Sequence, residues 1–412
     1  MHNKHTRNAV RYYILIVAVL AFLFFSNDFG ATDVQKTAIV MAVGIDRQEK
    51  EFIVTSQIAI PQSSKQGNAS QTVQLVSRGS TIAEAFDEIN AKTGWYPKLV
   101  FCKLIILGKK TTEENVFDAL DYFLLNEYLS DDCLVAACDG FAKDLLNTTA
   151  LIDPSSSVAM EKVLSAHAQR VGTVLPTTLR EFSMGYFGDS KSGFLPVLKT
   201  QPQQEQIGGS GSSENDSSQS SQSSQSNQGS GQSSQSENPS PTDKPVFSAQ
   251  ETALFVAGKR VGTLTAEETF AYNAVKNELK LASYSVAQQE GVCTLSIKQN
   301  AAKLKLTVGK DGSANLKIDL SLTAGLTDYS QSLPLDEIKD GGDVPGGVFT
   351  AAQKKLSGEI QTLFEKTKNL GCDLFHLREL LVKYEKRALR QYENTLLENT
   401  TVTVAVQFLG IR

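Results

Sequence analysis

Leu254-Phe255-Val256-Ala257-Gly258-Lys259-Arg260-Val261-Gly262-Thr263-Leu264-Thr265-Ala266-Glu267-Glu268-Thr269 decides how the rest of the chain is read. Leu254 to Val256 is apolar and β-prone, Ala257-Gly258-Lys259 is a turn, and a second strand follows to Leu264. Thr265, with Glu268 three residues on, forms a capping box: each side chain satisfies a backbone N–H that the first helical turn leaves free. Strand, turn, strand and helix start thus follow one another within sixteen residues. A chain that changes period so quickly is expected to fold as α+β modules of mixed or antiparallel sheet with flanking helices.

Downstream, two strands are expected at Val292–Gln299 and Ala302–Val308, and the turn Gly309-Lys310-Asp311-Gly312 leads into a third at Asn315–Leu322. Phe349, Ala352, Leu356, Ile360 and Leu363 then recur every three or four residues, as on one face of a helix. Gly371 stops that helix and Asp373 is placed to cap the next. In the latter, Leu374, Leu377, Leu381, Tyr384 and Ala388 form the buried stripe, and Arg378, Lys383, Lys386, Arg387 and Arg390 stay in solvent. A solvated basic face is the ordinary reading; attraction to anionic headgroups is the functional one. An alternating run from Thr401 to Gly410 follows.

Upstream, Ile39 to Asp46 and Phe52 to Pro61 read as a hairpin rich in β-branched residues. Thr81 and Glu84 form another capping box, opening a helix with Ile82, Ala85, Phe86 and Ile89 on one face. A strand at Leu99–Leu107, a helix at Glu113–Glu127, a strand at Cys133–Cys138 and a helical stretch at Ser156–Arg170 complete this half. Residues 201–245 are dominated by Ser, Gln, Gly and Asn, with almost nothing apolar to bury, and are expected to be disordered. They read either as a linker between domains or as an insert in a hairpin with arms Phe194–Leu198 and Thr252–Val256. The expected divisions are 1–31 for a cytoplasmic tail and anchor, 32–200 for an N-terminal α+β region of two modules and 246–412 for a C-terminal α+β region, with 201–245 between them.

At the start, Lys4, Arg7 and Arg11 precede the apolar run from Tyr12 to Phe25, and no acidic residue appears before Asp28. A basic flank keeps the N-terminus in the cytoplasm and sends the rest across the membrane. As a helix the run is about 21 Å long, short of a hydrocarbon core of about 30 Å. That length suits a signal-peptide core, but Phe29 sits where cleavage wants a small residue. An uncleaved signal anchor is therefore preferred to a cleaved peptide.

A net charge of -5 argues against binding a phosphate backbone, so no nucleic acid is expected. His2 and His5 lie in the tail, leaving His167 and His376 for chemistry that needs an imidazole, and both read as packing or surface residues. Cys102, Cys133, Cys138, Cys293 and Cys372 include no Cys-x-x-Cys pair and read as small buried hydrophobes, with a disulfide as the lesser reading. Leu107-Gly108-Lys109-Lys110-Thr111 lacks the first glycine of a phosphate loop. There is no Gly-x-Ser-x-Gly elbow, and no constellation for an enzyme or a cofactor is found.

Several short stretches resemble, in order, those of the Ger(x)C family of spore germination proteins. Ile39 to Asp46 looks like its first strand, ending at a Gly-x-Asp turn, and Gln57-Ile58-Ala59-Ile60-Pro61 looks like the second. Gly79 to Ala85 resembles its first helix start, Phe194-Leu195-Pro196-Val197-Leu198 its proline-bearing strand, and Val261 to Thr269 its Gly-x-Leu-x-x-Glu segment. The end of the chain, from Gly371-Cys372-Asp373 to Gly410, is similar as well. Family members typically carry a lipid on a cysteine after the signal peptide; here no Cys precedes Cys102, so the apolar run is expected to hold the protein instead. Tyr392 stands where the family favours Trp.

The resemblance implies a non-catalytic subunit of a nutrient germinant receptor on the outer face of the inner spore membrane, beside polytopic A and B subunits, with no small-molecule ligand of its own. An anchored paralogue outside germination, or a cell-wall enzyme or binding module, is the alternative. The residues singled out are structural: Gly44 and Asp46 at the first turn, Gly262 and Glu268 at the strand-to-helix junction, and Tyr12 to Phe25 as the anchor.

Overall fold

The computed structural model describes residues 11–22, 37–60, 72–148, 150, 152–153, 155–165, 168–201, 246–288, 291–330, 347–384 and 395–411. Residues 11–22 form an exposed helix, α1. Among the described residues no helix is long and apolar enough to cross a membrane. Tyr12 lies on α1; Phe25, at the other end of the expected anchor, falls outside the described residues, as do His2, His5, His167 and the bulk of the Ser/Gln-rich segment.

The first sheet takes strands β1 (Thr37–Gln48), β2 (Glu51–Ala59), β3 (Thr72–Gly79), β4 (Tyr96–Lys98), β5 (Leu104–Leu107), β6 (Leu134–Cys138), β7 (Ser192–Gln201), β8 (Val246–Val256) and β9 (Lys259–Leu264). Their order is β3-β2-β1-β5-β6-β7-β8-β9, with β4 also paired to β1. The middle is parallel, from β1 through β5 and β6 to β7, and the β1–β2–β3 and β7–β8–β9 ladders are antiparallel. Parallel strands need crossovers, and helices supply them on both faces. On one side α2 (Ile82–Thr93), α4 (Phe117–Leu124) and α8 (Leu179–Phe187) cover Val43, Ile45, Ile105, Leu107 and Val135. On the other, α5 (Ala142–Leu146) and α6 (Ser156–Leu164) cover Ala42, Leu104, Ile106 and Ala136. The continuous apolar run Leu104–Leu107 is buried at every residue, as a strand sandwiched between two layers must be.

The second sheet is β10 (Ala282–Gln288), β11 (Gly291–Val308), β12 (Ala314–Tyr329) and β13 (Thr400–Gly410), in that order. The first three are antiparallel, and β13 joins β12 in parallel. Burial alternates along β12, so one face carries the core and the other meets solvent. Helices α9 (Ala266–Lys276), α10 (Val348–Asn369) and α11 (Leu377–Tyr384) close that core. It also takes in Leu254 and Leu264 from the edge of the first sheet, so the two sheets share a wall.

Several sequence expectations change in the structure. Asp46 is not at the first turn: β1 runs two residues further, Asp46 pairs with Ile53, and the turn falls at Glu49–Lys50. The helix expected at Glu113–Glu127 is the shorter α4, and a separate short helix, α3 (Lys109–Glu113), ends where it was expected to begin. The chain breaks between them because the Asn115 side chain accepts from the Phe117 N–H at 3.2 Å, while the Val116 N–H donates to the Gly258 carbonyl at 2.9 Å. Of Leu99–Leu107 only the last four residues pair, the first being spent on a turn closed by Cys102 N–H to Leu99 carbonyl. The helical stretch expected through Arg170 is interrupted, giving α6 and the short α7 (Ala168–Val171).

The two strands expected around Asn300 are one. Its amide is occupied at the end of α9, donating to the Ala274 carbonyl at 2.8 Å, and the ladder passes it. Tyr384 is half-exposed rather than part of the buried stripe, with Lys383 stacked over its ring. Arg378 is not free in solvent, since it donates to the Asp189 carbonyl at 2.6 Å. Ala388, Lys386, Arg387, Arg390 and Tyr392 fall outside the described residues.

Candidate functional site

Three polar joints tie the layers together, and the singled-out residues fall on two of them. Asp46 projects from β1 to the start of α5, where its carboxylate accepts from the Ala142 N–H at 2.8 Å and the Lys143 N–H at 3.1 Å. Phe141, at the cap position itself, offers no side-chain bond, so a residue 96 positions away caps the helix. Burial pushes the Asp46 carboxyl above the ordinary range, against the pull of those two N–H groups. The approach is close on every side: a Cβ on Gly108 would stand 2.0 Å from Asp46 Oδ1, and one on Gly44 would stand 3.0 Å from the Ala142 Cβ. Gly44 and Asp46 therefore serve one contact, the docking of α5 on β1.

The second joint is the stretch that opened the sequence. Thr265 Oγ1 accepts from the Glu268 N–H, and Glu268 Oε2 accepts from the Thr265 N–H at 2.8 Å. The same Oε2 lies 2.6 Å from Lys366 Nζ on α10, so the cap also pins two helices to each other. Gly262 lies one turn away on β9, where a Cβ would meet the tip of Leu370 at 2.6 Å. An open groove of about 670 Å³ runs between them, lined by Gly262, Thr263, Gln361 and Lys366 among others.

The third joint was read only in part. Asp373 accepts from the Leu377 N–H at 2.8 Å and the Arg378 N–H at 3.3 Å, the cap expected for α11. Its backbone N–H takes a bond from across the molecule, donating to Ser192 Oγ at 3.0 Å. His376, in the left-handed region at φ 54°, places Nδ1 3.4 Å from Ser190 Oγ and 3.7 Å from Glu379 Oε1. The Glu379 carboxylate holds the imidazole above its usual range against the effect of burial. Burial pushes the Glu379 carboxyl up, but His376, its own backbone N–H and Ser190 outweigh it and bring it down to about 2. A pocket of about 540 Å³ opens beside this cluster, bounded by Thr178, Glu181, Met184 and Asp189.

Ser, His and Glu together suggest a nucleophile relay, but the geometry is wrong for one. A relay needs the serine on one ring nitrogen and the acid on the other. Here both face Nδ1, and Ser190 is itself buried. Only His376 was visible in advance, as one of four histidines; Ser190 lies 186 residues away, and no spacing signals that they meet.

Among the described residues no group of three or more His, Cys, Asp or Glu is arranged to hold a metal. All five cysteines are free and buried, as the sequence suggested, and burial pushes the Cys138 and Cys372 thiols up to about 12. Such thiols remain protonated and inert.

The fold is thus a two-sheet α+β body whose layers are tied to one another by these three polar joints. Two family models match it in sequence order: the spore germination protein N-terminal domain over residues 30–200, and the spore germination B3/GerAC-like C-terminal domain over residues 250–409. The chain belongs to the Ger(x)C family of spore germination proteins. Its fold is similar to that in the crystal structure of the GerBC protein, with a TM-score of 0.51 at 16% identity over 90% of this chain and 97% of that one. No curated protein matches it.

Proposed function

We propose that this chain is the non-catalytic, membrane-anchored subunit of a nutrient germinant receptor, standing on the extracytoplasmic face of the inner spore membrane beside two polytopic subunits. The observation that carries the reading is the ordered pair of spore germination models, which between them leave out only the ends and the region around the Ser/Gln-rich segment. The joints fit a scaffold: each fixes one element against another, and none presents convergent groups to a substrate. A scaffold acts on a receptor by contacting one of its conformations better than another, so that its binding free energy biases the equilibrium.

The test is affinity purification of the tagged chain from spore inner membranes, with co-purifying proteins identified by mass spectrometry. Recovery of two polytopic subunits is the expected result. Abundance in vegetative cells with no such partners would refute the receptor role and leave an anchored paralogue with another task.

A further inference from the structure

One end of the first sheet gathers several exposed aromatic side chains. β1 begins there at Thr37, β2 ends there opposite it, and β3 begins there opposite β2. β4 pairs with the opening residues of β1, and the turn from Leu99 to Cys102 lies at the same end. The chain leaving α4 reaches it too, since Lys98 Nζ sits 4.5 Å from the centre of the Tyr128 ring. Exposed on this end are Leu125 at 86%, Phe101 at 54%, Tyr96 at 52%, Tyr128 at 51%, Val100 at 49% and Trp95 at 41%. Large apolar groups exposed singly need no explanation, but so many gathered at one end mark a surface that something covers. An apolar hollow of about 260 Å³, between Thr37, Ile60, Val73 and Trp95, opens on it.

We propose that this end rests in the interfacial layer of the lipid bilayer, with Trp95, Tyr96, Phe101 and Tyr128 as its aromatic anchors; the inference depends on the membrane anchoring proposed above. Two observations favour lipid over a protein partner. Thr37, which lines the hollow, lies only fourteen residues (23–36) beyond the apolar helix α1, a span of at most about 50 Å when fully extended, so this end stays within reach of any membrane α1 enters. The residue types are those of a membrane interface: indole and phenol rings bury an apolar body while keeping a polar tip among the headgroups, and Lys98 and Lys103 can lie along the surface with their ammonium groups in water.

The charges at this end are mixed. Asp131 lies 3.9 Å from Arg180 and Asp132 lies 3.9 Å from Lys103, with Glu127 exposed nearby. Contact would therefore be aromatic and apolar, with little demand for anionic lipid. It would stand the strands of the first sheet on end.

Trp95 is the chain's single tryptophan, so its fluorescence reports this surface alone. The experiment reconstitutes the full chain in phosphatidylcholine vesicles, confirms retention by flotation, and compares quenching by lipids brominated high on their acyl chains with quenching by aqueous iodide. The expected result is bromolipid quenching of about twofold or more, iodide protection, and little change when phosphatidylglycerol is added, as an aromatic interfacial contact requires. In a Val100→Asp/Phe101→Ser double variant with unchanged circular dichroism, bromolipid quenching should fall and iodide quenching rise.

A protein that floats but whose Trp95 is quenched by iodide and not by bromolipid overturns the inference and leaves the anchoring intact. Shielding that appears only when the polytopic subunits are present makes the surface a protein interface and overturns it equally. A steep dependence on anionic lipid would remove its aromatic basis. A chain that does not float refutes the anchoring itself, and the lipid contact with it.

Discussion

Glu268 offers the sharpest test of how the second core is held, because one oxygen does two separable things. Its Oε2 accepts from the Thr265 N–H at 2.8 Å and from Lys366 Nζ at 2.6 Å, the first closing the cap of α9 and the second tying α9 to α10. Loss of a capping partner costs about 1 kcal/mol. The ion pair is better placed than a surface pair, with side-chain exposures of 18% for Glu268 and 32% for Lys366, but part of it still faces water. About 1 kcal/mol is a fair value for it after solvent screening. Glu268→Ala should therefore destabilise the protein by about 2 kcal/mol.

Lys366→Met keeps the packed stem and removes the ammonium, and should cost about 1 kcal/mol. In the double variant the ion-pair loss is counted once, so the two single effects should exceed the combined one by about 1 kcal/mol. Urea unfolding followed by far-ultraviolet circular dichroism measures all four corners, with the slope expected to stay constant while the midpoint moves. A coupling under about 0.3 kcal/mol would mean that the two side chains act independently, and the account of this joint would be wrong.

Other perturbations test the remaining joints. Asp46→Ala leaves the buried Ala142 N–H without its acceptor while the exposed Lys143 N–H can turn to water; a loss of about 1–3 kcal/mol is expected, with Asp46→Asn milder because one carbonyl oxygen remains. Urea midpoints read by Trp95, which directly precedes β4 of the same sheet, would expose the error if the alanine variant unfolded like wild type. The His376–Glu379 pair predicts a pH signature. The raised histidine contributes fully below about pH 6.5 and loses its contribution as pH rises through its folded value, whereas the lowered glutamate contributes fully above about pH 4.5 and loses its contribution as pH falls towards 2. Wild type should therefore exceed Glu379→Gln most at about pH 5.5 and least at about pH 9, by well under 1 kcal/mol for so exposed a pair. Asp373, Ser190 and Lys276 face the same imidazole, and a margin that grew at high pH would show that they dominate it instead.

Local chemistry was legible in the sequence, and distance was not. The capping box at Thr265 and Glu268 and the cap at Asp373 are patterns of three or four residues, and each is present as read. The helix face from Ala352 to Leu363 is buried as its period required, although Phe349 is only partly so. The expectations failed at polar residues whose partners lie elsewhere: Asn300 falls in the gap between two expected strands but is consumed by α9 within one, and Asp46, expected at the first turn, caps α5 from inside a strand. Both are short polar side chains that favour turns because they bond backbone groups, and sequence does not say whose backbone. The Ser190–His376–Glu379 cluster is unreadable for the same reason, since the fold alone brings residues 190 and 376 together.

The wall shared by the two sheets has a mechanical consequence. Leu254 and Leu264 sit on strands of the first sheet yet pack in the core of the second, and Cys372 Sγ lies 3.9 Å from the Phe255 carbonyl. Sliding one sheet against the other would unpack these residues, so the buried part of the seam resists shear between the two sheets.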